Sequence, residues 1–120
     1  MLPASHNQAY QELLTSLLEF KTWLNSLELK AHLEVNQKFS DLCQWFEQNI
    51  IVLEQEDVGG AIAPRWQSLQ TEIKREFKLL STDMLFLVAA RQSKTRNQRL
   101  NSVVQHLDRL IGYCQIMLDN

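Results

Sequence analysis

The feature that most constrains this chain is the spacing of its apolar residues, which recur every three or four positions in four separate stretches. Tyr10, Leu13, Leu17, Phe20, Leu24 and Leu27 form the first stripe, widened by Leu14, Leu18 and Trp23. Val35, Phe39, Leu42, Phe46, Ile50 and Leu53 form the second, with Cys43 beside it. The third runs Trp66, Leu69, Ile73, Phe77, Leu80, Met84 and Leu87. The fourth runs Leu100, Val103, Leu107, Leu110, Cys114 and Leu118, flanked by Val104, Ile111 and Met117. Side chains three and four apart lie on one face of an α-helix, whereas a strand requires alternation. Each stretch therefore predicts a helix with a broad buried face, suited to a globular bundle and too wide for a two-stranded coiled coil.

The breaks between stripes set the topology. Ser5 is the expected N-cap of the first helix, with Gln8 in the position where a capping box places Glu or Gln. A turn near Asn25–Lys30 carries neither Gly nor Pro, and the second helix is expected from Ala31 to Leu53. Without that turn the first two helices fuse into one rod that must oligomerise to bury its stripe. Glu54–Pro64 is the clearest boundary, because Gly59-Gly60 supports irregular backbone and Pro64 suits a first helical turn, where its missing N–H is no loss. The third helix is expected over residues 64–91, and the polar run Arg91–Asn97 is read as the last connection. Gly112 inside the fourth stripe costs about 1 kcal/mol against Ala, a cost that close helix approach would offset. With only 3 Gly and 2 Pro in 120 residues, many tight turns are excluded. Short connections predict one domain over residues 1–120, an all-α, antiparallel, up-down four-helix bundle.

Charge narrows the partners. The net charge is −2, without the basic excess of a general nucleic-acid binder. Residues 1–57 nevertheless hold nine acids and three bases, while residues 58–120 hold nine bases and five acids. The longest apolar run, Met84–Ala90, falls short of the ~20 residues that span a bilayer, so no membrane span is expected. No basic-then-apolar leader opens the chain, and Cys43 and Cys114 stand alone as small hydrophobes of a reducing compartment; the expected location is cytoplasmic.

No pattern of residues points to catalysis. Di-iron bundles use Glu three residues before His on paired helices, yet Pro3, Leu29 and Val103 occupy those places before His6, His32 and His106. Neither cysteine has zinc spacing, so no metal and no cofactor is expected. Phosphotransfer helices follow their His with Lys and Gly; here Glu34 and Asp108 would repel an added phosphoryl group, and the histidines read as solvent-facing or rim residues. Gly59-Gly60 lacks the Lys and Thr of a phosphate loop. The chain is read as a binder and not as an enzyme.

Candidate partner-binding residues are Arg91, Lys94, Arg96 and Arg99, four cations without an intervening acid, together with Phe86. The plain reading of the cations is solubility, with Arg91 also suiting the dipole at a helix C-terminus. The functional reading is an acidic protein partner. Nucleic acid is the alternative, though no aromatics interleave the cations for base stacking. Phe86 falls outside the inward positions held by Met84 and Leu87, and an exposed aromatic grouped with Arg91 makes a good anchor for a partner or a homodimer.

The strings Ala63-Pro64-Arg65-Trp66-Gln67-Ser68-Leu69-Gln70-Thr71-Glu72-Ile73, Thr82-Asp83-Met84-Leu85-Phe86-Leu87, Ala89-Ala90-Arg91-Gln92, Thr95-Arg96-Asn97-Gln98-Arg99-Leu100 and Leu110-Ile111-Gly112-Tyr113-Cys114-Gln115 resemble, in order and spacing, the PatD-like heterocyst frequency control proteins of cyanobacteria. The likeness covers most of residues 63–115. It implies a regulator that binds the division protein FtsZ and modulates its assembly. FtsZ-type proteins are acidic, which fits the basic cluster; the family brings no site residues of its own.

Overall fold

The computed structural model describes residues 2–25, 32–53 and 58–119, with the side chains of His32 and Leu33 left aside. Among them stand four long helices and no strand: α1 Ala4–Asn25, α2 His32–Phe46, α3 Ala63–Ala89 and α4 Ser93–Leu118. A π-helical turn, Glu47–Ile51, continues α2, and a short 3₁₀ turn, Gly60–Ile62, leads into α3. The bundle measures 51 × 20 × 19 Å. Successive helices run antiparallel, α3 against α4 and α1 against α4 most closely, as the apolar spacing predicts.

α1 and α2 are two helices and not one rod. Phe20 of α1 meets Phe39 of α2 with ring centroids 5.9 Å apart. The Lys38 ammonium lies 5.2 Å over the Trp23 ring. The expected turn beyond Asn25, together with Leu27, falls outside the described residues. α2 is held mainly by aromatic rings. Phe77 of α3 stacks on Phe46 at 3.9 Å and 5° between planes, and on Phe39 at 6.0 Å and 17°.

Several boundaries differ from the sequence expectation for local reasons. α1 begins at Ala4, because the Asn7 N–H donates to the Pro3 carbonyl at 2.9 Å; Ser5 lies inside the first turn and is not the cap. α2 loses regular α geometry after Phe46, so Leu53 lies beyond the helical run. The last connection is only Ala90–Gln92. Ser93–Asn97 is the first turn of α4, since the Arg96 N–H donates to the Gln92 carbonyl at 2.9 Å. A polar run does not break a helix when that turn faces water.

The core also holds a polar residue that the stripe omits. Gln70 is buried while Leu69 sits at the rim. Gln70 Nε2 donates to the Ile50 carbonyl at 2.9 Å, at the π-helical turn. The Tyr10 hydroxyl donates to Gln70 Oε1 at 2.6 Å, and Trp66 Nε1 donates to that hydroxyl at 2.8 Å. Three helical segments are thus pinned by bonds that leave no buried donor wasted. Burial raises the Tyr10 phenol well above its ordinary range, against the opposing bond from Trp66. Burial also pushes the Cys114 thiol up to about 12, consistent with an inert core hydrophobe. His6, expected near a loose terminus, is buried with its ring 5.7 Å from that of Trp66.

Gly112 does not permit a close helix crossing: a Cβ there meets nothing within 4 Å. Gly112→Ala is therefore expected to stabilise the fold by about 0.5–1 kcal/mol, by restricting the unfolded chain and favouring helix. Urea unfolding at constant m-value measures it.

Candidate protein interface

The seam between α3 and α4 carries charge where the apolar stripes give out. Glu76 and Asp83 are seven residues apart on α3, two helical turns, and so share a line along the helix. That line faces His106 of α4. His106 Nδ1 lies 2.5 Å from Glu76 Oε2, and its Nε2 lies 2.6 Å from Asp83 Oδ2. Their side chains are buried to different degrees, with relative exposure 8% for Glu76, 14% for His106 and 17% for Asp83. The geometry is that of an imidazole held between two carboxylates, each ring nitrogen within hydrogen-bonding distance of one of them.

Two arginines close this group toward solvent. The Arg109 guanidinium lies 3.6 Å from the same Glu76 oxygen. It also lies 3.4 Å from His106 Nδ1. Arg99 lies 3.8 Å from Asp83 Oδ1. His106 is part-buried, as a rim histidine is, but its two nitrogens face carboxylates of α3. Asp108, read as a neighbour that would repel phosphate, instead pairs with Lys21 of α1 at 2.6 Å. Both nitrogens of His106 are engaged, so a phosphoryl group or a metal could use one only by displacing a carboxylate.

Beyond Asp83 the seam opens onto the surface predicted for docking. The Arg99 guanidinium stacks over the Phe86 ring at 4.5 Å from its centroid. Phe86 remains 48% exposed and Leu79, two turns earlier on the same line, 43%. The arginine that meets Phe86 is thus Arg99 and not Arg91, with which the sequence reading groups it. Arg91 and Lys94 are exposed at the adjoining α3–α4 connection. Arg96 turns inward instead, its Nη2 donating to the Ala90 carbonyl at 3.3 Å, where it satisfies a carbonyl at the end of α3. The cluster is therefore divided, with Arg96 serving the connection and the other three lying along the surface.

The dipole reading, made for Arg91, does not extend to Lys94 and Arg96. Both sit in the first turn of α4, which has no acid, at the positive end of the helix dipole, where cations are disfavoured by about 0.3–1 kcal/mol each. Comparison with known proteins adds no name to this surface. No family model, curated protein or solved structure matches the chain. No helix among the described residues is long and apolar enough to cross a membrane.

Sequence reasoning missed Glu76, Asp83 and His106 as a unit. A signal was present in the pair Glu76 and Asp83, seven apart on the flank of an apolar stripe, because such spacing aims both carboxylates at one neighbouring helix. Their partner could not be read, since it depends on the vertical register of α4 against α3.

Proposed function

We propose that this chain is a non-enzymatic helical regulator that docks an acidic protein partner through Phe86, Arg99, Arg91 and Lys94, and that the partner is the division protein FtsZ, whose assembly it modulates. The observation that carries the docking surface is the half-exposed Phe86 ring beneath the Arg99 guanidinium. An aromatic and an arginine already in contact lose little side-chain entropy on binding, and residues of these types dominate interface energies. Asp83 steadies Arg99 from behind, while Leu79 extends the apolar contact. Cations kept at a helix N-terminus against the dipole fit a role outside the fold. The choice of FtsZ rests on the resemblance of residues 63–115 to the PatD-like proteins, and the acidity of FtsZ-type proteins suits this surface.

Sedimentation of FtsZ polymers with and without the chain tests the reading. Co-sedimentation with altered polymer mass is expected; neither co-sedimentation nor a change in mass rejects FtsZ as the partner. Lys94→Glu separates binding from folding within the same assay. It is expected to weaken co-sedimentation while raising stability by about 0.3–1 kcal/mol at low ionic strength, because an acid suits the first turn of α4.

A further inference from the structure

A second edge of α3 carries apolar and cationic side chains that the fold does not use. Lys74, Lys78 and Leu85 follow one another along the side turned away from the α4-facing line of Glu76 and Asp83. Leu85 is 70% exposed, the most exposed of the large apolar residues described. Both lysines are exposed, and neither enters an ion pair among the described residues.

The complementary surface lies between α1 and α2, which pack less closely than the other neighbouring helices. Trp23, Glu34, Gln37, Lys38 and Asp41 line an open cleft there of about 540 Å³. Asp41 accepts a hydrogen bond from Gln37 Nε2 at 2.9 Å, yet neither it nor Glu34 meets a cation in an ion pair among the described residues. The cleft's lysine, Lys38, lies over the Trp23 ring at 5.2 Å. That indole face is therefore one that accepts a cation and an aliphatic stem together. Among the described residues, Glu34 and Asp41 of the acidic first half and Lys74 and Lys78 of the basic second half thus present charges of opposite sign outside any ion pair.

We propose that the α1–α2 cleft receives the Lys74–Lys78–Leu85 edge of a second copy of this chain. Lys74 and Lys78 meet Glu34 and Asp41, and Leu85 lies against the Trp23 side of the cleft. Charge complementarity selects the occupant, because both members of the match belong to the same polypeptide and are always present in equal amount. The edge is distinct from the Phe86–Arg99 surface, so self-association does not depend on the proposed partner, and the test contains no FtsZ.

Sedimentation velocity of the full chain from micromolar to millimolar concentration is the experiment. The weight-average sedimentation coefficient is expected to rise with concentration, and to rise less at about 1 M salt, where the screening length falls to ~3 Å. Lys74→Glu/Lys78→Glu and Glu34→Lys/Asp41→Lys are each expected to remain monomeric alone, with helical content unchanged by circular dichroism. Mixed in equal amounts, the two reversed variants are expected to associate again, because each then meets its opposite charge. A wild-type chain that stays monomeric throughout overturns the proposal. So does association that survives either reversal, or a mixture of the two variants that stays monomeric.

Discussion

Replacing His106 by Leu is expected to destabilise the fold by about 1–3 kcal/mol, the range for leaving a buried polar group without its hydrogen-bond partner. The loss arises because Glu76 and Asp83 remain on α3, both aimed at α4, without their nearest hydrogen-bond partner. Arg109 at 3.6 Å and Arg99 at 3.8 Å lie farther from those oxygens and are more exposed, which places the effect toward the lower end. Urea unfolding measures it as a fall in midpoint at unchanged slope. The triple variant His106→Leu with Glu76→Gln and Asp83→Asn is expected to recover part of the loss, because the uncompensated charges are gone as well. A single His106→Leu variant within about 0.5 kcal/mol of wild type, the range of ordinary surface changes, contradicts the ionic seam.

Phe77→Ala is expected to cost about 3–5 kcal/mol, as large aromatic truncations in a core do. Phe77 is 6% exposed and stacks on both Phe46 and Phe39, so its removal opens a cavity where α3 holds α2. The stacked pairs add roughly 0.5–1.5 kcal/mol beyond area burial. The effect has a local signature. Amide exchange should accelerate first in α2, whose packing depends on these rings, while the α3–α4 seam keeps its protection. Uniform acceleration across all four helices, or a loss below about 1 kcal/mol, excludes this role for the stack.

These two predictions also mark what the sequence reveals and what it conceals. Phe77 was legible, since it lies in a stripe whose period alone turns it toward a core, as do Leu13, Leu17, Leu80, Leu107 and Leu110. Gln70 was not, because a polar residue one step from Leu69 looks like surface until Tyr10 and the Ile50 carbonyl come within bonding distance. The partners of His106 are hidden for the same reason: they lie thirty and twenty-three residues away, and periodicity carries no information on register between helices. The α3–α4 connection is shorter than its polar composition suggests, because the first turn of α4 is itself polar. The sequence groups Phe86 with Arg91, its nearest cation along the chain, and not with Arg99. The contact of Phe86 with Arg99 follows from the antiparallel return of α4 along α3.

The docking surface is tested most directly by the affinity of the chain for FtsZ polymers when single exposed apolar side chains are truncated. Phe86→Ala is expected to weaken binding tenfold or more, about 1.4 kcal/mol or above, as loss of an interface anchor does. Leu18→Ala, at a residue 44% exposed on α1, is expected to bind as wild type. Wild-type affinity for Phe86→Ala, or an equal loss for Leu18→Ala, contradicts the assignment of this surface.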